Sequence, residues 1–406
     1  MEKFKKQNLE KENFFNGDDG IQINELLELI KKSDYYNDIL EYFNIDQNDI
    51  TRINIKGAKS LFTKIKNINE KYVKEDLISD LKDLNFDYDG GFGIKFNNLT
   101  TNQYLNNLNI DSFKAYPIHS GERDFFSSLY EIDKYACKLI VKGFKDILDQ
   151  NLELLKTKEH HCKRYRIIHD NEDNTFYLRA IISLERYYNY DNALTVVIAL
   201  LKLHFEMQSS KVNYDLLSFE YNESFIRMFF KTSETKELKG VGLFENALQV
   251  SNDEIKREAL KFSNICSIIF KDTNNTEQRL FIKPKDIKTK VLSITHGTGP
   301  KKAFANLEDF VKSKKNFEEL FKEAEVITNL KDHKQIVHLV RTKINNSNTD
   351  QIKMFKQELT GILFKEIKTT TQLLETFNKL MLLEGLEIDA KEYLRYLIYE
   401  ALIDRK

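Results

Sequence analysis

An α+β fold, with a mixed central sheet region flanked by N-terminal and C-terminal helical segments, is what this 406-residue sequence predicts. Three observations carry that expectation. Between residues 163 and 296 short aromatic and β-branched runs (RYRIIH, TFYLRAIIS, YDLLSFEY, SFIRMFFKT, LKGVGLF, QRLFIKP, KVLSITH) alternate with polar turns, the signature of strands. On both sides of that region apolar residues recur at intervals of three and four. Only three prolines occur, so few positions are barred from regular structure.

Taken in order, residues 1–20 are polar, end in NGDDG and read as a flexible leader. Residues 21–87 read as helical, from IQINELLELIKKSDYYNDILEYF onward; FNIDQNDITRINIKG breaks the period with alternating Ile50, Ile53 and Ile55, and the helix resumes at Ala58. A mixed core is expected over 88–300. It opens on YDGGFGIKF, whose Gly90, Gly91 and Gly93 permit tight turns but lack the Lys-Ser/Thr ending of a nucleotide loop. In NNLTTNQYLNNLNI a small helix is capped by Thr100 or Thr101. LYEIDKYACKLIVKGFKDIL then places Tyr130, Ile132, Cys137, Leu139, Ile140 and Phe144 around one amphipathic face. YDNALTVVIALLKLHF predicts a buried helix over 191–206, with Asp191 or Asn192 satisfying its first backbone donors. Residues 301–406 return to helix. There Ala303, Leu307, Phe310, Phe317, Phe321 and Ala324 form a stripe broken at Lys314, and LLETFNKLMLL and AKEYLRYLIYEALI supply the closing helices.

The net charge of -1 provides no global field toward nucleic acid or anionic lipid, leaving a local basic groove as the only electrostatic route to either. No apolar run is long enough to span a bilayer, and MEKFKKQNLEKENFF lacks the apolar centre of a secretory signal, so the expected location is the cytoplasm of the cell in which the chain is made. Cys137, Cys162 and Cys266 show no paired spacing and fit small apolar residues in a reducing compartment.

Chemistry-bearing motifs are sparse. HHCKRYRIIH offers zinc-ligand types in His160, His161, Cys162 and His169 without a second half, so no metal or cofactor is expected. There is no HExxH helix, GxSxG turn or Walker loop, and no catalytic residue is named. Glu245, Asp253 and Glu254 could bind a divalent ion if another carboxylate came close, but the acidic residues of SNDEIKRE suit a hydrated helix cap better. What stands out is a basic, tyrosine-rich set: Lys163, Arg164, Arg166, Arg179 and Arg186 with Tyr187, Tyr188 and Tyr190. Arginine forks suit phosphates and tyrosine rings stack on bases, so these residues are the nucleic-acid-binding candidates for DNA or RNA. An ordinary sheet with one charged face predicts much of the same pattern. Ser183, Asp191, Asn192, Asn252, Glu254 and His296 are candidates for a polar network, His296 lying in the glycine-flexed turn THGTG.

The order of several motifs resembles a phage and plasmid-type family termed domain of unknown function 932. RAIISLERYYNYDNA is similar to its R-A-x-x-S-x-R/K-Y segment with a following Asp-Asn turn, matching Arg179, Ala180, Ser183, Arg186, Tyr187, Asp191 and Asn192. SNDEIKREALKF resembles its N-S-E-hydrophobic-G-x-x-A-L segment at Asn252, Glu254, Ile255, Ala259 and Leu260, with Asp253 where Ser is common and Lys256 where Gly is common. The resemblance extends over residues 88–345. It implies a mobile-element accessory protein in phage DNA metabolism or host interference. Association with nucleic acid is the leading functional expectation, a protein-binding role in host interference or phage assembly the second, and nucleic-acid hydrolysis the third.

Overall fold

The computed structural model describes residues 10–13, 20–87, 92–97, 102–119, 121–129, 132–158, 162–185, 187–210, 212–255, 258–284, 290–308 and 317–404. The fold is α+β. In chain order the strands are β1 (Glu10–Asn13), β2 (Ile21–Gln22), β3 (Arg52–Ile53), β4 (Tyr72–Asp80), β5 (Leu84–Asp87), β6 (Gly93–Phe96), β7 (Phe113–Pro117), β8 (Cys162–Asp170), β9 (Thr175–Ile182), β10 (Tyr214–Tyr221), β11 (Phe225–Leu238), β12 (Gly242–Asp253), β13 (Glu258–Lys271), β14 (Glu277–Ile282) and β15 (Lys290–Thr295). They belong to two units that interleave along the chain. The first holds the described parts of Lys64–Asn189 with His296–Thr298; the second holds those of Gln7–Thr63, Tyr190–Thr295 and Gly299–Lys406. These boundaries cut across the four consecutive regions expected from sequence, because strand partners need not be chain neighbours.

In the first unit six strands pair in the order β4-β8-β9-β7-β6-β5, antiparallel except where β7 meets β9. Leu77 opposes Tyr165 and Tyr165 opposes Ile181, while Ile94 opposes Ala115 and Ala115 opposes Phe176, so the alternation of each strand delivers its apolar residues to one face. That face packs against Ala136, Leu139, Leu148 and Leu152 of the helices Asp133–Lys142 and Lys145–Lys158. Two expectations need correction here. The helical reading of 21–87 ends at Lys71, since YVKEDLISD forms β4 and pairs with β8 along its whole length; this long-range pairing overrides local helix propensity. The amphipathic face drawn from Tyr130 to Phe144 also breaks, because Gly143 adopts a φ of 78° and caps the first helix, leaving Phe144 exposed in the corner. Tyr130 lies outside the described residues.

The second unit is built on the sheet β1-β10-β11-β12-β13-β14, with β15 pairing β13. Glu10–Asn13, assigned by sequence to the leader, is its first strand and sets Glu10 opposite Tyr221; pairing uses the backbone, so a polar segment serves. SNDEIKREALKF, read as a helix cap, instead supplies the end of β12 and the start of β13, with Ser251 opposite Lys261; Lys256 and Arg257 lie outside the described residues. The expected buried helix is present as Asn192–Ser209, and its residues Ala193–Leu201 are all buried, as its nearly uninterrupted apolar sequence requires. Toward the C-terminus, Leu320, Val340, Leu359, Phe377, Leu394 and Ile398 share a core with Phe244, Ile268, Leu280 and Ile282. The helices Pro300–Glu308 and Phe317–Ala324 flank residues 309–316, so Phe310 and Lys314 of the predicted stripe lie outside the described residues. No helix of the described residues is long and apolar enough to cross a membrane.

Asp191 caps the helix Asn192–Ser209, its Oδ1 accepting from Leu194 N at 2.7 Å. Replacing it with Ala is expected to cost about 1 kcal/mol, read as a lower urea midpoint with an unchanged slope; an unchanged midpoint would deny the cap its role.

Candidate functional site

Arg166 is the centre of a polar network in the first unit. It stands directly opposite Asp76 across β8 and β4, and its Nε donates to Asp76 Oδ1 at 3.1 Å. Its Nη1 donates to the Tyr187 hydroxyl at 2.9 Å, and its Nη2 to Asn189 Oδ1. The Tyr187 hydroxyl lies 3.2 Å from His296 Nε2, and the two rings stack with centroids 4.3 Å apart. His296 Nδ1 is 2.8 Å from the Tyr188 carbonyl oxygen. A carbonyl only accepts, so Nδ1 carries the proton; when the ring is neutral, Nε2 then accepts from the Tyr187 hydroxyl. The sequence thus runs from a carboxylate through a guanidinium, a phenol and an imidazole to a backbone carbonyl. Each named polar atom is engaged within it, and the arrangement fixes the 187–189 segment against the 296 turn.

Four of the other polar candidates meet at the start of the helix Asn192–Ser209. Glu254, fully buried, accepts from Asn192 N at 2.8 Å, and Asn252 Nδ2 donates to Asn192 Oδ1 at 2.9 Å and to the Tyr190 carbonyl at 3.3 Å. With Asp191 as cap, two carboxylates occupy the positive end of the helix dipole, the place where a phosphate would otherwise bind. The segments RAIISLERYYNYDNA and SNDEIKREALKF, far apart in sequence, are joined here by hydrogen bonds.

The arginine-tyrosine surface expected from sequence is not formed as such. Arg166 and Arg179 are buried, Arg179 as the extra residue where the β8–β9 register shifts, and Tyr190 is buried and stacked on Tyr35 with centroids 5.5 Å apart. A polynucleotide cannot reach side chains without solvent access, so these three are corrected from interface to interior. Lys163, Arg164, Tyr187 and Tyr188 are half-buried, and Arg164 Nη2 contacts the Leu184 carbonyl at 3.4 Å. Arg186 lies outside the described residues. Ser183 is exposed and its hydroxyl donates to the nearby Glu185 carbonyl; among the described residues it does not join the network.

The local zinc-ligand cluster fares no better. His160 and His161 lie outside the described residues, Cys162 is exposed, and His169 is buried between the Tyr104 hydroxyl (2.7 Å) and Asn174 Oδ1 (2.8 Å). Among the described residues no group of three or more His, Cys, Asp or Glu is placed to hold a metal. Glu245 bonds Ser267 and pairs with Arg279, away from Asp253 and Glu254 in any carboxylate cluster. Burial, and then the neighbouring Glu122 carboxylate, push the Cys137 thiol up from its ordinary pKa, which leaves less of the nucleophilic thiolate.

Sequence reasoning missed one surface feature. Around the corner between the helices Asp133–Lys142 and Lys145–Lys158, Tyr135, Val141, Phe144, Ile147 and Leu154 are all exposed, Val141 at 86% and Leu154 at 60%. Ile147 and Leu154, seven residues apart, lie on one face of the second helix. The legible signal was VKGFKDI, where a glycine interrupts an apolar stripe and so turns its last members outward. Comparison of the chain with protein-family models, with curated proteins and with solved structures gives no match.

Proposed function

We propose that this protein is a non-enzymatic binding factor that docks an acidic, amphipathic segment of a partner protein on the apolar corner of its first unit. The carrying observation is the exposure of Val141, Phe144, Ile147 and Leu154 on one helical hairpin. Soluble monomers rarely leave contiguous large apolar side chains in water, and burying each against a partner contributes about 1.5–3 kcal/mol before association costs. Exposed Lys134, Lys138 and Lys142 border the corner and outnumber its exposed carboxylate, Asp146, while Glu153 is engaged by Lys156 at 2.8 Å. That charge pattern favours a partner whose apolar anchors are flanked by Asp and Glu. The phage or plasmid setting, and with it host interference or phage assembly, rests on the motif resemblance alone. Nucleic acid is the weaker reading, because Arg166, Arg179 and Tyr190, which were to supply phosphate forks and a stacking ring, are interior.

The full-length protein panned against a displayed library of helical peptides should enrich acidic, amphipathic sequences. Their affinity should fall at least tenfold in the Val141→Asp, Phe144→Asp double variant, whose exposed substitutions leave the far-UV spectrum unchanged. The proposal fails if the enriched peptides bind the double variant equally well, or if no peptide binds while single-stranded DNA, duplex DNA or RNA associates at low salt.

A further inference from the structure

The second unit encloses a group of charged side chains that no function considered so far uses. Glu220 stands opposite Arg227, Arg227 opposite Ser251 and Ser251 opposite Lys261, so β10 to β13 carry these four on one face. One side-chain step away on that face, Ser218 opposes Phe229, Phe229 opposes Gln249 and Gln249 opposes Ser263. The helix Ile388–Tyr399 meets this face with Lys391, Glu392 and Arg395. Arg395 Nη2 donates to Glu220 at 2.7 Å while its guanidinium lies 4.8 Å from the Phe229 ring centre, Gln249 donates to Glu392 at 3.3 Å, and Arg227 donates to the Ile388 carbonyl at 2.6 Å. Lys283 reaches the same place and pairs with Glu392.

The charges do not balance. Arg227, Lys283, Lys391 and Arg395 have side chains no more than 10% exposed, and the carboxylates enclosed with them among the described residues are Glu220 and Glu392. Asp389 is half-exposed at the rim, 3.9 Å from Arg227. Lys391 has Glu220 at 4.0 Å, a carboxylate already bonded to Arg395. Hydrogen bonding does not balance either. Arg227 Nε, Arg395 Nε and the Ser218 and Ser263 hydroxyls are buried without a hydrogen-bond partner, as is the acceptor Gln249 Oε1, and Arg395 Nη1 has only a 3.5 Å ion-pair contact with Glu392. An uncompensated buried cation and an unsatisfied buried donor each cost stability, and one acceptor-rich anion relieves both.

We infer that the face formed by Arg227, Ser263, Lys283, Lys391 and Arg395 binds a phosphate-class oxyanion, either free or as the phosphoryl group of a larger ligand. Guanidinium and ammonium groups give such an ion short, charge-assisted hydrogen bonds, and its oxygens can accept from the buried donors left over. The competing account is that the lysines shed their protons. Burial lowers both Lys283 and Lys391, against the pull of Glu392 and Glu220 respectively. The two accounts differ in what added anion does.

Full-length protein freed of phosphate is titrated with sodium phosphate, sodium sulfate, adenosine monophosphate and sodium chloride at one ionic strength, followed by dye-monitored melting and calorimetry. Phosphate should raise Tm saturably where chloride does not, and show one site by calorimetry. Lys391→Gln should weaken phosphate binding at least tenfold. Ser263→Ala, which removes a donor without changing charge, should weaken it several-fold and decides the matter if the lysine variant does not fold. Tighter binding of the nucleotide than of phosphate assigns the site to a larger phosphorylated ligand; weaker binding assigns it to the free ion. Equal responses to phosphate and chloride, with no heat of binding, overturn the inference in favour of neutral lysines. Binding undiminished in the folded variants also overturns it, by placing the ion elsewhere.

Discussion

Glu392→Gln is expected to destabilise the second unit by about 3–5 kcal/mol, the scale for removing one partner from a buried charge pair. The substitution keeps the shape of the side chain and removes only its charge. It leaves Arg227, Lys283 and Arg395, all nearly enclosed, facing a neutral amide. Burial alone would raise the Glu392 carboxyl, but Arg227, Lys283 and Arg395 outweigh it and hold that carboxyl far below the ordinary glutamate value of 4.5. A depressed folded-state pKa stabilises the fold above the unfolded value and loses that contribution as pH falls toward the folded one. Wild-type stability should therefore decline as pH falls below that ordinary value, and the variant should lack that component of the decline. Urea melts at pH 7 and pH 3.5 test this; a loss below 1 kcal/mol at pH 7 would mean that the cations do not depend on Glu392. The chain has no tryptophan, so circular dichroism or tyrosine emission serves as the signal.

Arg166→Ala should cost the first unit about 3–5 kcal/mol by the same argument. Asp76, Tyr187 and Asn189 each lose a donor, and the Tyr187–His296 stack loses the guanidinium that positions the phenol. Arg166→Lys keeps the charge but not the planar fork, and is expected to recover the smaller part of the loss. Hydrogen exchange localises the effect: peptides from β4, β8 and 187–189 should lose protection while β12 and β13 retain theirs. Unchanged protection in β4 would show that Asp76 is held by other means. Had Arg166 served a polynucleotide from the surface, its removal would leave stability almost untouched, so the same variant separates the two roles.

The sequence by itself determined much of the local structure. RYRIIH and TFYLRAII could only bury their branched and aromatic residues as strands, and they form β8 and β9; the apolar run after Asp191 is the helix Asn192–Ser209, capped where the sequence placed the cap. The polar motifs at 191–192 and 252–254 were also recognisable, and they do meet. YVKEDLISD was not legible as a strand, because its pairing with β8 depends on a partner some ninety residues away in the register of Asp76 with Arg166. Alternation along a strand assigns each side chain to one of two faces and says nothing about which face will be covered. Arg166 therefore reads as a surface residue until its surroundings are known. Only the tertiary structure decided that Asp76 and Tyr187 close over Arg166, and that a helix from the far end of the chain closes over Arg227, since burial is fixed by residues remote in sequence. For the same reason it was the fold, through the break at Gly143, that turned Phe144 outward where periodicity alone had placed it on the amphipathic face.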